Sequence, residues 1–212
     1  MTSPSLVNYW PFNSHIQDVI GGAHLFEGYN AALTEDRFGR PLSALNLSIG
    51  YYKIPPGNYF QTGTFTITAW LKLRQHKRWA RLIDFSNGWA SIDAIFLNTY
   101  DPNSITSQFY LCNSTSKQIG RADSSLIPLN TWTHISMTYN STSTILKIYL
   151  NGTQNGISQT TQALMNIERL FNYIGRSSNF HGGDPHLDGV VDELKIFNKE
   201  LSQKEIEFEM NN

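Results

Sequence analysis

Thr64-Phe65-Thr66-Ile67-Thr68-Ala69-Trp70-Leu71-Lys72-Leu73 alternates strictly, with Phe65, Ile67, Ala69, Leu71 and Leu73 on one face and Thr66, Thr68, Trp70 and Lys72 on the other. Side chains of an extended chain point to opposite faces in turn, so this stretch is a strand with one face on a core. The same period of two recurs in Ala44–Ile49, Arg81–Phe85, Ser91–Leu97, Gln108–Cys112, Trp132–Tyr139, Thr144–Leu150, Phe171–Gly175 and Val190–Phe197. Clusters of Gly, Pro, Asn and Ser separate them. Many short alternating segments between turn signals predict an all-β antiparallel sandwich. Asn151-Gly152 predicts a tight turn after Thr144–Leu150, because both residues tolerate positive φ. One short helix is expected at the end, where Ser202 and Glu205 form a capping box ahead of Ile206, Phe208 and Met210.

The chain has 212 residues, 40% of them hydrophobic. That suffices for one core without disulfides or metals, so residues 1–212 are taken as a single domain. Sixteen Lys and Arg against 17 Asp and Glu leave a formal charge of -1, which gives no electrostatic footprint for nucleic acid or an anionic bilayer. No apolar run approaches the roughly 18 residues of a membrane span, so no membrane insertion is expected. The opening Met1-Thr2-Ser3-Pro4 has no leader pattern. Four Asn-x-Ser/Thr triplets, at Asn46, Asn113, Asn140 and Asn151, and an Asn/Ser/Thr-rich composition point to a secreted protein or an ectodomain. All four asparagines are candidate glycosylation sites. Cys112, with Phe109 and Leu111 close by, reads as a small buried hydrophobe without chemistry.

Taken together, Val7–Asn13, Asp18–Gly22, Thr34–Pro41 leading to Leu47, Phe65–Leu71, Leu129–Tyr139, Ile148–Gly152, Tyr173–Arg176 and Leu187–Ser202 resemble, in order and spacing, a known group. It is the laminin-G-like and pentraxin-like branch of the concanavalin A-like lectin/glucanase superfamily. The resemblance implies a jelly-roll β-sandwich of two curved sheets, commonly an extracellular binding module. The His and Cys that precede the pentraxin-type Trp are missing before Trp132, so the looser laminin-G-like group is the better match. Because the fold hosts lectins and glycosidases alike, function has to come from the site.

A glucanase on this fold needs paired carboxylates on one strand face, and the Glu-x-Asp-x-x-Glu pattern of that group does not occur. The chain is therefore expected not to be an enzyme. Strict alternation places Asp192 with Val190, Leu194 and Ile196, facing the core. A buried carboxylate needs a partner: either backbone N–H groups or an Arg such as Arg37, or a cation such as Ca²⁺, which takes six to eight oxygens. By the resemblance, calcium would join Asp18 to Asp192 as a structural ion. For ligand recognition the candidates are Trp79, Trp89 and Tyr100 near the basic stretch Arg74–Arg81, and Phe180, His181, Asp184 and His186 in a Gly/Pro-rich loop. Aromatic rims stack on sugar faces or anchor protein partners. The expected partner is a glycan bound through loops and a concave sheet; the alternative is an extracellular protein bound by an adhesion module.

Overall fold

A computed structural model describes residues 5–88, 91–115, 117–179 and 183–212. The elements run β1 (Leu6–Trp10), β2 (Phe26–Thr34), β3 (Ala44–Ile54), β4 (Phe65–Leu73), β5 (Arg81–Ser86), β6 (Ile95–Asp101) and β7 (Thr106–Cys112). They continue with β8 (Gln118–Ser124), β9 (Thr133–Asn140), β10 (Ile145–Leu150), β11 (Thr153–Gln159), β12 (Phe171–Ile174), β13 (Leu187–Phe197) and α1 (Gln203–Asn211). The fold is all-β and antiparallel, with a short C-terminal helix, as expected.

Hydrogen bonds join the strands into one path, β11-β10-β9-β4-β13-β3-β12-β5-β6-β7-β8, with β1 added to β13 and β2 to β3. Two separate ladders were expected, and β3 explains the difference. Its Leu45–Gly50 half pairs with β13 and its Tyr52–Ile54 half with β12, so one long strand belongs to both halves. The path then curls until β8 packs beside β10 and β11, nearly closing a barrel. Glycine permits this approach: a Cβ on Gly156 would sit 2.1 Å from the Asp123 carbonyl oxygen, and one on Gly120 2.7 Å from Leu146.

Phe65, Ile67, Ala69, Leu71 and Leu73 are fully buried in the main core, where alternation put them. Asn151 (φ 49°) and Gly152 (φ 78°) make the left-handed turn between β10 and β11. Ser202 caps α1 in a complete capping box, and Ile206 packs with Leu201, Tyr149 and Phe197 over the outer face of the sheet.

Alternation fails in β13. Pairing jumps from Asp192↔Trp70 to Lys195↔Thr68, with Glu193 at φ 53°, which marks a β-bulge. An extra residue reverses the phase of every side chain beyond it. Val191, Leu194 and Ile196 therefore join the core, and Asp192 lies across from Trp70 on the opposite face. The expected grouping of Asp192 with Val190, Leu194 and Ile196 is corrected accordingly.

Candidate functional site

The face of β12, β5, β6, β7 and β8 that points away from the core carries a row of side chains in direct cross-strand register. Lys53 on β3 opposes Tyr173, Tyr173 opposes Asp84, Asp84 opposes Phe96, Phe96 opposes Tyr110, and Tyr110 opposes Arg121. Cross-strand neighbours touch, so the row is continuous: Tyr173, Asp84 and Phe96 are buried within it, and Tyr110 and Arg121 reach solvent at one end. Phe96 stacks on Tyr110 with centroids 4.8 Å apart and planes 16° from parallel. The Arg81 guanidinium lies 3.7 Å from the centroid of Phe96. At the open end Tyr110 and Arg121 are half-buried, and Arg121 donates to the Tyr110 hydroxyl (3.4 Å) and to Asp123 (2.9 Å).

Arg81 is the hub. Its Nη1 donates to Asp84 Oδ2, its Nη2 donates to Ser91 Oγ at 3.1 Å, and it lies 3.6 Å from Asp184 Oδ2. Asp84 also accepts from the Ser178 N–H at 2.6 Å, and Asp184 from Ser177 Oγ at 2.8 Å. Two carboxylates from distant parts of the chain thus meet around one guanidinium, both buried. Among the described residues, Asp84 Oδ1 and Asp184 Oδ1 at the hub, and Asn98 Oδ1 and Gln108 Oε1 on the neighbouring strands, are buried without a donor. They are acceptors that suit water or hydroxyl donors.

Two of the sequence candidates come together beside this face. The Trp79 N–H donates to the Tyr100 carbonyl oxygen at 2.9 Å. Each ring has a companion: the Arg78 guanidinium 3.9 Å from the Trp79 ring centroid, and His76 stacked on Tyr100 at 5.3 Å. Asp184 sits at the Arg81 hub instead. His186 lies edge-on to Tyr51 (4.9 Å), with Arg176 4.6 Å from the Tyr51 ring centroid and 4.9 Å from that of Tyr173. Burial, then the charges of Arg176 and Lys77, hold His186 below its usual pKa, so it is neutral at pH 7. Trp89, Phe180 and His181 lie outside the described residues. The basic stretch does not form one patch: Arg74 turns to Asp188 (2.7 Å) while Arg81 is buried under Ser91 and Asp184. Phe96, Tyr110 and Arg121 escaped the sequence reading, although alternation within each strand does place them opposite the core side chains, and Arg81 entered it only as part of the basic stretch.

The two carboxylates expected to share calcium are held by protein donors. Asp18 accepts from Asn8 Nδ2 and from the N–H groups of Tyr9, Ile20, Gly21 and Ala23, all within 3.0 Å. These hydrogens point where a cation would need lone pairs, and together they hold the Asp18 carboxyl below the usual range despite burial. Asp192 pairs with Arg37 at 2.7 Å. Among the described residues no group of three His, Cys, Asp or Glu side chains is placed to hold a metal. The residues present do not fit a calcium ion at Asp18 and Asp192; the backbone and Arg37 partners, the other option for these carboxylates, are what the structure shows.

Of the candidate glycan acceptors, Asn151 is exposed, and Asn46, Asn113 and Asn140 are half-buried. Asn140 Nδ2 donates to Glu200 (2.8 Å) and Asn46 Nδ2 to Ser48 (3.2 Å). Cys112 is buried against Ala94 and Phe96, and burial pushes its thiol up to about 11.

A family profile, Laminin_G_3, described as concanavalin A-like lectin/glucanases superfamily, matches residues 48–207. No curated protein matches the chain. Among solved structures, domain 4 of AbnA, an extracellular GH43 arabinanase from Geobacillus stearothermophilus, was determined in complex with arabinotriose. It is similar with a TM-score of 0.70 at 17% identity, over 97% of this chain and 98% of that one. The binding domain of Paraclostridial Mosquitocidal Protein 1 gives 0.68 at 17% identity over 98% of this chain and 52% of its own. The binding domain of Botulinum Neurotoxin DC, in complex with SialylT, gives 0.67 at 16% over 98% and 51%. The chain spans about half the length of these two toxin domains, and at such identities the likeness is one of fold.

Proposed function

The chain belongs to the concanavalin A-like lectin/glucanases superfamily, and on that premise we propose that it is a non-enzymatic, extracellular carbohydrate-binding module of the jelly-roll type. The observation that carries this reading is the cross-strand row Tyr173, Asp84, Phe96, Tyr110 and Arg121, continued at the rim by Trp79 and Tyr100. The half-buried rings of Tyr110, Trp79 and Tyr100 are the ones open to the C–H face of a pyranose or furanose, and the flanking Arg121 and Asp123 meet its hydroxyls. The AbnA domain with arabinotriose and the neurotoxin domain with SialylT support a glycan as the ligand class by fold likeness. Asp84 and Asp184, the paired carboxylates of this face, are engaged by Arg81 and by Ser178 and Ser177, which argues against hydrolysis. Secretion is in keeping with the exposed sequon at Asn151.

The competing reading, a protein-interaction module, draws on Phe26, Tyr29 and Ile49, which are 38%, 52% and 43% exposed along β2 and β3. A broad glycan array probed with the purified chain, in calcium and in EDTA, tests the two. Selective binding that drops about tenfold in Trp79→Ala and in Tyr110→Ala, about 1.4 kcal/mol each, supports the glycan site. An array silent in both buffers sinks it and leaves the protein partner.

A further inference from the structure

We propose that the chain carries a second ligand site, a cleft for a neutral saccharide at the opposite end of the strands from Trp79 and Tyr100. The cleft, about 480 Å³, opens between the N-terminal segment and the link from β3 to β4. That volume falls in the range of roughly 300–1,000 Å³ usual for small-ligand sites. Pro55–Thr62 precede the start of β4 at Phe65, and Trp79 follows its end at Leu73, which sets the two sites a strand length apart.

Every described residue lining the cleft is uncharged. An ionised ligand would lose water there without meeting an opposite charge, a cost that selects against anions and cations. What the cleft offers are the side-chain amides of Asn58, Gln61 and Asn198; Asn8 gives its Nδ2 to Asp18 and Thr62 its hydroxyl to the Thr64 and Asn198 carbonyl oxygens. A carboxamide carries an acceptor oxygen and two donor hydrogens, which matches the double role of a sugar hydroxyl. Among the described residues, the amides of Gln61 and Asn198 make no hydrogen bond within the protein. Asn58 gives its Nδ2 to Asn166 (2.6 Å), while its Oδ1 is buried without a partner among the described residues. Val7, Pro55 and Pro56 supply apolar edges for the C–H faces of a ring.

The cleft is preformed. Asp18, with its five N–H donors, fixes the wall that contains Asn8, Gly21 and Ala23. The facing wall is pinned where Gly57 and Arg169 exchange backbone hydrogen bonds of 3.0 and 2.9 Å, and where the Tyr59 hydroxyl donates to the Pro55 carbonyl oxygen at 2.8 Å. A site already ordered spends little binding energy on ordering. Gly22 lines the cleft: its φ is 73°, and a Cβ added to it would have nothing within 4 Å. Asparagine tolerates that backbone conformation, so Gly22→Asn adds a side chain at the lining without a clash at its Cβ.

The test is an amide NMR titration of the ¹⁵N-labelled chain with arabinotriose and cellotriose, both neutral, and with anionic 3′-sialyllactose. The site predicts that a neutral trisaccharide shifts the amides of Gly21, Gly22, Asn58 and Gln61. Gly22→Asn and Gln61→Ala should each weaken the response about tenfold, and Trp79→Ala should leave it unchanged. Gln61 is exposed, so Gln61→Ala carries the test if Gly22→Asn fails to fold. No shift at these amides up to the order of 10 mM, beyond the weakest range of specific binding, overturns the proposal. So does an equal response to sialyllactose. Shifts confined to Trp79, Tyr100 and Tyr110 would remove this cleft while keeping the sheet-face site, and the reverse pattern would do the opposite.

Discussion

Replacing Asp192 with Asn should make the protein more stable at neutral and alkaline pH, although it removes a buried ion pair. Asp192 is fully buried; burial and then the neighbouring Glu193 charge push its carboxyl up to about 7, with Arg37 pulling the other way. The unfolded value is near 3.8. Between those values the native state holds a proton that the unfolded chain releases, so the stability this group contributes is complete below about pH 4 and is lost as pH rises towards 7. At about 1.4 kcal/mol per pH unit across that interval, the loss has a ceiling of about 4 kcal/mol. Asparagine mimics the protonated carboxyl at all pH values. Urea unfolding of both proteins at half-unit steps from pH 4 to pH 8 measures the difference directly. The variant should gain steadily on the wild type as pH rises and level off above 7. A difference that stays constant over the whole range would show that Asp192 is ionised throughout and that Arg37 outweighs burial.

His134, opposite Trp70, has the reverse sign: burial, then the charges of Lys195 and Arg37, lower its pKa to about 3, so stability drains as pH falls below about 6.5. His134→Gln should flatten the acid limb of the stability profile, and an unchanged limb would argue that the ring titrates normally. Gly156→Ala drives a Cβ to within 2.1 Å of the Asp123 carbonyl oxygen and should cost about 1–3 kcal/mol; a neutral result in thermal unfolding would mean that β8 and β11 separate freely. Native Cys112 should resist alkylation at pH 8 and react only in denaturant, and rapid native labelling would show that the sheet face opens. Expressed in a glycosylating host, the chain should carry a glycan on Asn151 and not on Asn140, whose Nδ2 already donates to Glu200, as peptide mapping will report.

Legibility followed burial. Strands with one face on the core, such as Phe65–Leu73, announce themselves by period, because solvent and core sort their side chains. β2 and β11 are largely exposed, and β8 threads Gly120, Arg121 and Asp123 past its neighbours, so no apolar alternation marks them. Asp192 shows a different failure. Its strand was found, yet one residue in a left-handed conformation at Glu193 turned it to the other face, and nothing in the local composition signals that step. The Arg81 hub was invisible for a third reason. Asp84, Asn98 and Asp184 meet there through strand register and a loop 94 residues away from Asp84 at Ser178, information that no window of sequence contains. Trp79 and Tyr100, by contrast, were chosen for chemistry alone, and their backbones are joined by a hydrogen bond.

Placing β13 centrally has a consequence for biosynthesis. This late strand is buried along its whole length, lies between β3 and β4, and also carries β1, the first strand of the chain. Until Leu187–Phe197 has left the ribosome tunnel, β1 has no strand to pair with, β4 is joined only by β9, and β3 only by β2 and β12. The nascent chain therefore waits with open strand edges, a state prone to pairing with other chains. The fold can be acquired only once this strand has been made, and a chain stopped short of Phe197 is a substrate for chaperones and proteases rather than a smaller domain.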